Sequence, residues 1–276
     1  MISNFILFPI LTQMITAILL IFCWQRIKVQ RIISTIGNSI SLIASFVLFI
    51  NTYSYGHLVL HTGGWKPPFG ITFVSDLFSS SLVFLTSIVG FAVGIFSTIG
   101  ISINRIKYGY FPIFHFLLMG LMGTFLTGDL FNSSFVLLTL GGKKMQMEGS
   151  IKYVALNMFA SSIFLTAIGI LYGITGSLNM ADLANKVSLI ENRGLVNVTA
   201  LLFFVGFGIK SAVFPLYFWL PSSYHTPPSS IAAIFGGLLT KMGIYAMLRV
   251  FTLIFIPDQF TTKLMIIIAI ATMFTG

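Results

Sequence analysis

The sequence predicts an all-α fold: a polytopic bundle of transmembrane helices that forms one membrane domain over residues 1–276. The first observation is compositional, because 57% of the residues are hydrophobic and only 8% are charged, whereas soluble domains carry about 25% charged residues. The second is a pattern, since the apolar residues fall into runs of about 20, the length that crosses a bilayer as a helix. The third is that most lysines and arginines lie in short segments between these runs, as in integral membrane proteins.

Seven apolar runs are long enough to cross a bilayer. They cover residues 3–23, 33–52, 74–100, 110–128, 151–175, 195–219 and 229–256. A partial span begins at residue 264. The apolar segment 130–140 lies between two polar segments and is too short, because 11 residues at about 1.5 Å each reach only about half of the hydrocarbon thickness. We therefore predict seven full spans, one short segment and one partial span.

The basic residues also predict partners and orientation. The net charge of +9 is dispersed along the chain and forms no basic face, so we expect a lipid bilayer and no nucleic acid as a partner. The positive-inside rule assigns the basic loops after the first and third spans and before the fifth to the cytoplasm, which predicts an N-terminus outside the cell. Segments 53–75 and 177–193 are then also outside. The second has the amphipathic pattern of a short helix in the membrane interface.

Several kinds of chemistry have no support in the sequence. The chain has one cysteine, Cys23, which excludes an intramolecular disulfide and a cysteine-based metal site. It contains no glycine-rich phosphate loop, no metal-ligand spacing and no Ser/His/Asp arrangement. We therefore expect neither a cofactor nor a metal, and no covalent catalysis.

Two lysines within the apolar runs are the main functional candidates. Lys210 lies inside the run at 195–219 and Lys241 inside the run at 229–256. A charge at mid-bilayer costs about 2.5–3.5 kcal/mol on insertion scales, and such residues usually mark an ion or proton pathway. The alternatives are a side chain that snorkels to the interface, for Lys210, and a structural pair with a carboxylate, for Lys241. The positions favour a pathway for both.

Residues around Lys210 predict a helix break. Gly206 and Gly208 precede the lysine and Pro215 follows it. Glycine weakens a helix and proline removes one of its hydrogen bonds, so this helix should be broken or kinked. A broken helix with a charge at the break is a common way for transporters to form a mid-membrane site.

Three other residues are weaker candidates for the same pathway. His225 lies in a proline-rich turn between two spans, and His115 lies inside the fourth span. Either imidazole is suited to proton transfer, but either is equally compatible with a structural role. Asp129 follows the fourth span and has an N-cap as its alternative role. Asp76 is predicted to be the N-cap of the third span.

Four segments resemble one known family. They are Thr127–Asn132, Leu140–Val154, Lys210–Pro221 and Leu238–Arg249. Together they resemble the proton-translocating antiporter-like subunits, a family shared by the multisubunit Mrp/Mnh-type Na⁺/H⁺ antiporters and the membrane subunits of respiratory complex I. The turn that ends in Pro228 is more similar to the D subunit of the Mrp-type antiporters, because complex I subunits usually carry a histidine where Tyr224 stands.

The resemblance implies a fold and a function. Members have about fourteen helices in two inverted repeats, and this chain corresponds to the first repeat. Lys210 is then the broken-helix lysine and Lys241 the lysine of the next helix, both in a polar axis that passes protons. The implied protein is a transporter subunit in the cell membrane, not an enzyme. It exchanges Na⁺ for H⁺ together with other membrane subunits of a hetero-oligomeric complex.

Two departures from the family pattern leave alternatives. The family's glutamate that pairs with the lysine matching Lys210 would fall between Asn132 and Ser133, and the second repeat would lie beyond Gly276. The chain thus resembles an internally shortened and C-terminally truncated member. The alternatives are a proton-pumping subunit of a complex I-like NADH:quinone oxidoreductase and an inactive structural subunit.

Overall fold

The computed structural model describes residues 2–62, 72–127, 144–224, 227–255 and 259–275. A 3₁₀ turn at Ile2–Leu7 leads into the first helix. The α-helices are α1 Phe8–Phe22, α2 Ile27–Tyr55, α3 Leu77–Gly100, α4 Ile103–Lys107, α5 Tyr110–Leu126, α6 Lys144–Thr175, α7 Met180–Ser188, α8 Arg193–Ser211, α9 Trp219–Tyr224, α10 Ser229–Ile234, α11 Thr240–Arg249 and α12 Gln259–Thr275. Two π-helical segments, Phe235–Leu239 and Val250–Ile254, flank α11 and join with α10 and α11 into one long helix.

The helices confirm the predicted all-α membrane fold, with differences in their lengths. Within the described residues, six helices are long and apolar enough to cross a membrane. The fourth predicted span, α5, has 17 residues, so it extends only about 25 Å. The run at 195–219 is not one helix, since α8 ends at Ser211. The predicted partial span begins earlier than residue 264, at Gln259.

A β-hairpin stands where the sequence predicted only a loop. Strand β1, Leu58–His61, pairs antiparallel with strand β2, Thr72–Ser75. An isolated bridge joins Phe73 to Thr127, just after α5. The strands are only four residues each, so their apolar pattern was too short to distinguish from a loop. The short segment predicted at 130–140 lies outside the described residues.

Helices α1, α2, α3 and α5 pack through small and polar side chains. Ser45 Oγ lies 2.5 Å from Ser87 Oγ, which joins α2 to α3, and Thr52 Oγ1 lies 2.9 Å from Ser75 Oγ. A methyl group added at Gly37 would overlap the side chain of Thr16, so α1 and α2 touch at this glycine. Lipid chains are as apolar as leucine, so helices in a membrane associate through close backbone contact and such hydrogen bonds.

Aromatic side chains join α6 to α8. Phe164 of α6 lies between Phe203 and Phe207 of α8, with ring centroids 5.6 and 5.3 Å apart. Helix α7 is short and buries Leu183 and Val187 on one side. It lies within the segment 177–193, where an amphipathic helix was predicted.

Asp76 is the N-cap of α3, as predicted. Its side chain accepts a hydrogen bond from Ser79 N (2.8 Å), and Ser79 Oγ in turn accepts one from Asp76 N (2.9 Å). This reciprocal pair is a capping box, which satisfies two backbone donors that the helix itself leaves free. The beginning of α3 is therefore fixed by local hydrogen bonds.

Replacing Gly37 by alanine tests the contact between α1 and α2. The added methyl group would clash with Thr16, and overpacking of this kind costs about 1–3 kcal/mol. We expect a lower unfolding temperature in detergent, measured by tryptophan fluorescence. Gly173→Ala in α6 is the matched control, because no described atom lies within 4 Å of its added methyl group. Equal destabilisation by the two variants would contradict the packing argument.

Candidate ion-pathway site

Lys210 lies in the last turn of α8 and faces the protein interior. Only 9% of its surface is exposed. Its Nζ lies 5.5 Å from the centre of the Phe164 ring on α6, which is within cation–π range. The C-terminal end of a helix carries a partial negative charge and favours a nearby cation by about 0.3–1 kcal/mol. Both features stabilise an ammonium that burial would otherwise disfavour.

The helix stops directly after Lys210. Ala212 adopts the left-handed conformation, with φ 56° and ψ 46°. Val213 N donates to Gly208 O (3.0 Å) and Ala212 N donates to Ile209 O (3.2 Å), the two bonds of a Schellman motif. Trp219 Nε1 also donates to Ile209 O (3.0 Å). The helix end leaves several carbonyls free, and those of Gly208 and Ile209 find donors inside the protein. A membrane environment favours such internal partners.

The break lies after the lysine and not at the two glycines. Gly206 and Gly208 belong to the regular helix α8, so their predicted role as break residues needs correction. Gly206 faces α6, and a methyl group there would lie 3.5 Å from Ala160 O. Pro215 lies in the interruption between Ser211 and Trp219, where α9 begins. The interruption arises because Ala212 turns the chain out of the helix.

The helices that carry the two lysines touch at Gly243. A methyl group added at this residue of α11 would lie 2.5 Å from Ser211 Oγ and 3.2 Å from the carbonyl carbon of Lys210. Glycine thus brings the α11 backbone against the end of α8. Lys241 stands two residues before this contact.

Lys241 differs from Lys210 in its surroundings. Its side chain is exposed on this chain, and its Nζ donates to Gly236 O (2.5 Å) in the π-helical segment before α11. The sequence favoured a pathway position for both lysines, but on this chain the side chain of Lys241 does not face the protein interior. Its helix packs against α8 through Gly243, so the lysine itself points elsewhere.

His115 belongs to a separate cluster. It is fully buried in α5. Its Nδ1 lies 2.5 Å from Gln13 Oε1 on α1, and its Nε2 lies 2.8 Å from Ser34 Oγ on α2. These contacts are with the first helices of the chain, whereas Lys210 contacts α6. The other two weak candidates, His225 and Asp129, lie outside the described residues.

Sequence reasoning missed an ion pair at the far end of α11. Arg249 forms a salt bridge and hydrogen bond with Asp76. The sequence predicted only the capping role of Asp76, because the two residues are 173 positions apart. A basic residue inside the apolar run at 229–256 was the one available signal, and it did not indicate a partner.

The structure therefore describes a multi-span membrane protein with a buried lysine at an interrupted helix. Residues 119–276 match the family model described as "NADH:quinone oxidoreductase/Mrp antiporter, TM". The match covers more than half of the chain, and the chain belongs to this family.

Two relatives are named as the D subunits of Na(+)/H(+) antiporters. The chain is 47% identical to the one from Alkalihalophilus pseudofirmus and 44% identical to the one from Bacillus subtilis. Each alignment covers 99% of this chain and 58% of the relative, so the chain spans little more than half the length of these relatives. The first alignment has 285 positions, at least nine more than the 276 residues of the chain. The chain therefore lacks residues that the relative has within the aligned region.

Two solved structures have the same fold. A chain of the Mrp complex from Dietzia sp. DQ12-45-1b superposes with a TM-score of 0.85 at 26% identity, over 97% of this chain and 52% of that chain. A chain of the membrane-bound sulfane sulfur reductase, an archaeal respiratory membrane complex, superposes with a TM-score of 0.88 at 28% identity. This superposition covers 97% of this chain and 57% of that chain.

Replacing Gly243 by alanine tests the contact between the lysine-bearing helices. The added methyl group would overlap Ser211, so α11 must move away from α8, at a cost of about 1–3 kcal/mol. We expect a lower unfolding temperature, measured by tryptophan fluorescence. Gly237→Ala, six residues earlier, is the control, since no described atom lies within 4 Å of its added methyl group. A Gly243→Ala variant as stable as the control would show that the helices do not touch there.

Proposed function

We propose that this chain is a proton-translocating subunit of a multisubunit cation/proton antiporter, with Na⁺ as the exchanged cation. The observation that carries the proposal is the position of Lys210. It is buried at the end of an interrupted helix, and that helix end packs against the helix that carries Lys241. Charged residues in such positions in membrane proteins form ion and proton pathways.

The chemistry of the site supports proton transfer. Burial disfavours the ammonium form of Lys210, whereas the helix C-terminus and the Phe164 ring favour it. Opposing influences of this kind suit a group that alternately takes up and releases a proton. Lys241 is the proposed next group, with His225, His115 and Asp129 as weaker candidates for other steps. No covalent bond forms or breaks in this process, so the proposed protein is a transporter and not an enzyme.

The similarities favour an antiporter over the two alternatives. The relatives with 44–47% identity carry the name of an antiporter component. The superposition on a chain of an archaeal respiratory complex supports the second candidate, a proton-pumping subunit whose driving reaction occurs in partner subunits. An inactive structural subunit is the third candidate. The observation in its favour is that the chain lacks residues that its relative has within the aligned region.

The proposal includes a location and partners. We infer that the chain lies in the plasma membrane with its N-terminus outside, because three basic loops then face the cytoplasm. Its partners are other membrane subunits of the same complex, by analogy with the Mrp complex on whose chain it superposes. The proton and Na⁺ pathways would be completed within that assembly.

Neutralising Lys210 tests the proposal. The complex is expressed with Lys210→Ala in a salt-sensitive, antiporter-deficient strain, and Na⁺-induced pH change is measured in everted membrane vesicles. We expect loss of exchange and of growth in NaCl with normal abundance of the complex, because the buried proton-carrying group is gone. We expect the same result for Lys241→Ala.

Lys107→Ala is the control, since Lys107 is an exposed lysine in α4, and it should retain exchange. Full exchange by Lys210→Ala would mean that the buried charge is structural. A wild-type complex that assembles but exchanges no cation would favour the inactive or the redox-linked alternative. Proton pumping driven by a redox substrate separates those two.

A further inference from the structure

Asp76 and Arg249 join two distant parts of the chain. Arg249, the last residue of α11, donates from Nη2 to Asp76 Oδ2, while Ser79 N donates to Asp76 Oδ1 (2.8 Å). One carboxylate therefore caps α3 with one oxygen and binds the guanidinium with the other. The side chains of Asp76 and Arg249 are only 30% and 18% exposed, so each charge depends on the other for compensation.

Tyr245 extends this contact to a third helix. Arg249 Nε donates to Tyr245 Oη (3.0 Å), and Tyr245 Oη donates to Phe125 O (2.8 Å) in the last turn of α5. The guanidinium carbon also lies 5.8 Å from the centre of the Phe78 ring and 5.2 Å from that of Tyr245. The start of α3, the end of α5 and the end of α11 thus meet in one hydrogen-bonded cluster.

The charge state of Asp76 fits this arrangement. Burial acts to raise the pKa of its carboxyl group, but the hydrogen bonds and charge of Arg249, together with Ser79, lower the pKa below the ordinary value. The carboxylate therefore stays ionised at neutral pH, and the ion pair persists there.

Arg249 lies on the same helix as Lys241. Arg249 follows Lys241 by eight residues, about 12 Å along a helix axis. Between them, at Gly243, α11 contacts the end of α8 next to Lys210. A helix is stiff over this distance, so the attachment of Arg249 and Tyr245 to α3 and α5 sets the depth and rotation at which α11 meets α8.

We propose that Asp76 and Arg249 are positioning residues that hold Lys241 in its place relative to Lys210. The inference rests on the proposed function, since it assigns the pair to the same pathway. Arg249 reaches the pathway only through the helix it anchors. Breaking the ion pair allows α11 to shift against α8, and the proton step between the two lysine-bearing helices slows.

Asp76→Asn is the most informative variant. Asparagine caps helices as well as aspartate, so this change removes the ion pair and keeps the start of α3. Ser79→Ala is the matched control, because it removes the reciprocal capping bond and leaves the salt bridge. Arg249→Gln breaks the pair from the other side. Each variant is introduced into the full complex.

Two measurements are made on each variant. The first is the rate and Na⁺ half-saturation of exchange per assembled complex in everted vesicles. The second is the distance between spin labels at Leu201→Cys on α8 and Ile244→Cys on α11, in a Cys23→Ser background. Both labelled positions are exposed on this chain.

We expect Asp76→Asn and Arg249→Gln to lower the maximal exchange rate about tenfold, because small misplacements of reacting groups are costly. The Na⁺ half-saturation should be unchanged, and the label distance should shift or broaden. Ser79→Ala should leave rate and distance close to wild type. A purely stabilising pair would lower the abundance of the complex without changing the rate per complex.

That last result would overturn the proposal, as would an unchanged distance in Asp76→Asn. The distance measurement needs no transport activity. A shifted distance in a complex whose wild type exchanges no cation would therefore retain the positioning role of the pair on α11 and contradict the proposed function instead.

Discussion

A polar group inside a bilayer must find its partner within the protein, and most of this structure depends on that constraint. Ser45 pairs with Ser87 between α2 and α3, and His115 is held between Gln13 and Ser34. In water these side chains would be solvated and would contribute little to the choice of neighbours. In the membrane they hold the first helices together, because apolar surfaces gain nothing by leaving lipid.

The same constraint explains how a helix can stop next to a buried charge. An interruption inside a membrane exposes carbonyl oxygens, and here the backbone of Ala212 and Val213 and the indole of Trp219 donate to two of them. Ala212 accepts a left-handed conformation that alanine rarely adopts, at a cost of about 1–2 kcal/mol. Lys210 lies in the last turn of this helix, where the negative end of the helix dipole favours a cation. The interruption and the charge are thus parts of one arrangement.

The two lysines have different surroundings, although both lie inside apolar runs of the sequence. Lys210 is covered by Phe164 and its own helix end, whereas Lys241 is exposed on this chain and bonds a carbonyl of the π-helical segment. Their helices nevertheless touch at Gly243. On one side of this contact is the interrupted helix α8, and on the other is α11, which has a π-helical segment at each end. Such π-helical turns occur frequently at functional sites.

The sequence by itself determined the class of fold, the approximate positions of the spans and the cap at Asp76. These follow from local properties: run length, charge placement and a capping side chain at the start of a helix. It did not determine where the helix near Lys210 ends, because a glycine that weakens a helix is tolerated where it allows close packing, as Gly206 does against α6. It also missed the β-hairpin, whose strands are too short to show a period.

Only the tertiary structure decided the partner of Arg249 and the exposure of Lys241. Asp76 and Arg249 are 173 residues apart, and no local pattern encodes which helix ends meet. The direction of a side chain on a helix depends on which neighbour packs against that helix, and Gly243 turns one face of α11 toward α8. Residue type sets the energetic cost of a buried charge, but the packing of distant helices decides which charge is buried and which group compensates it.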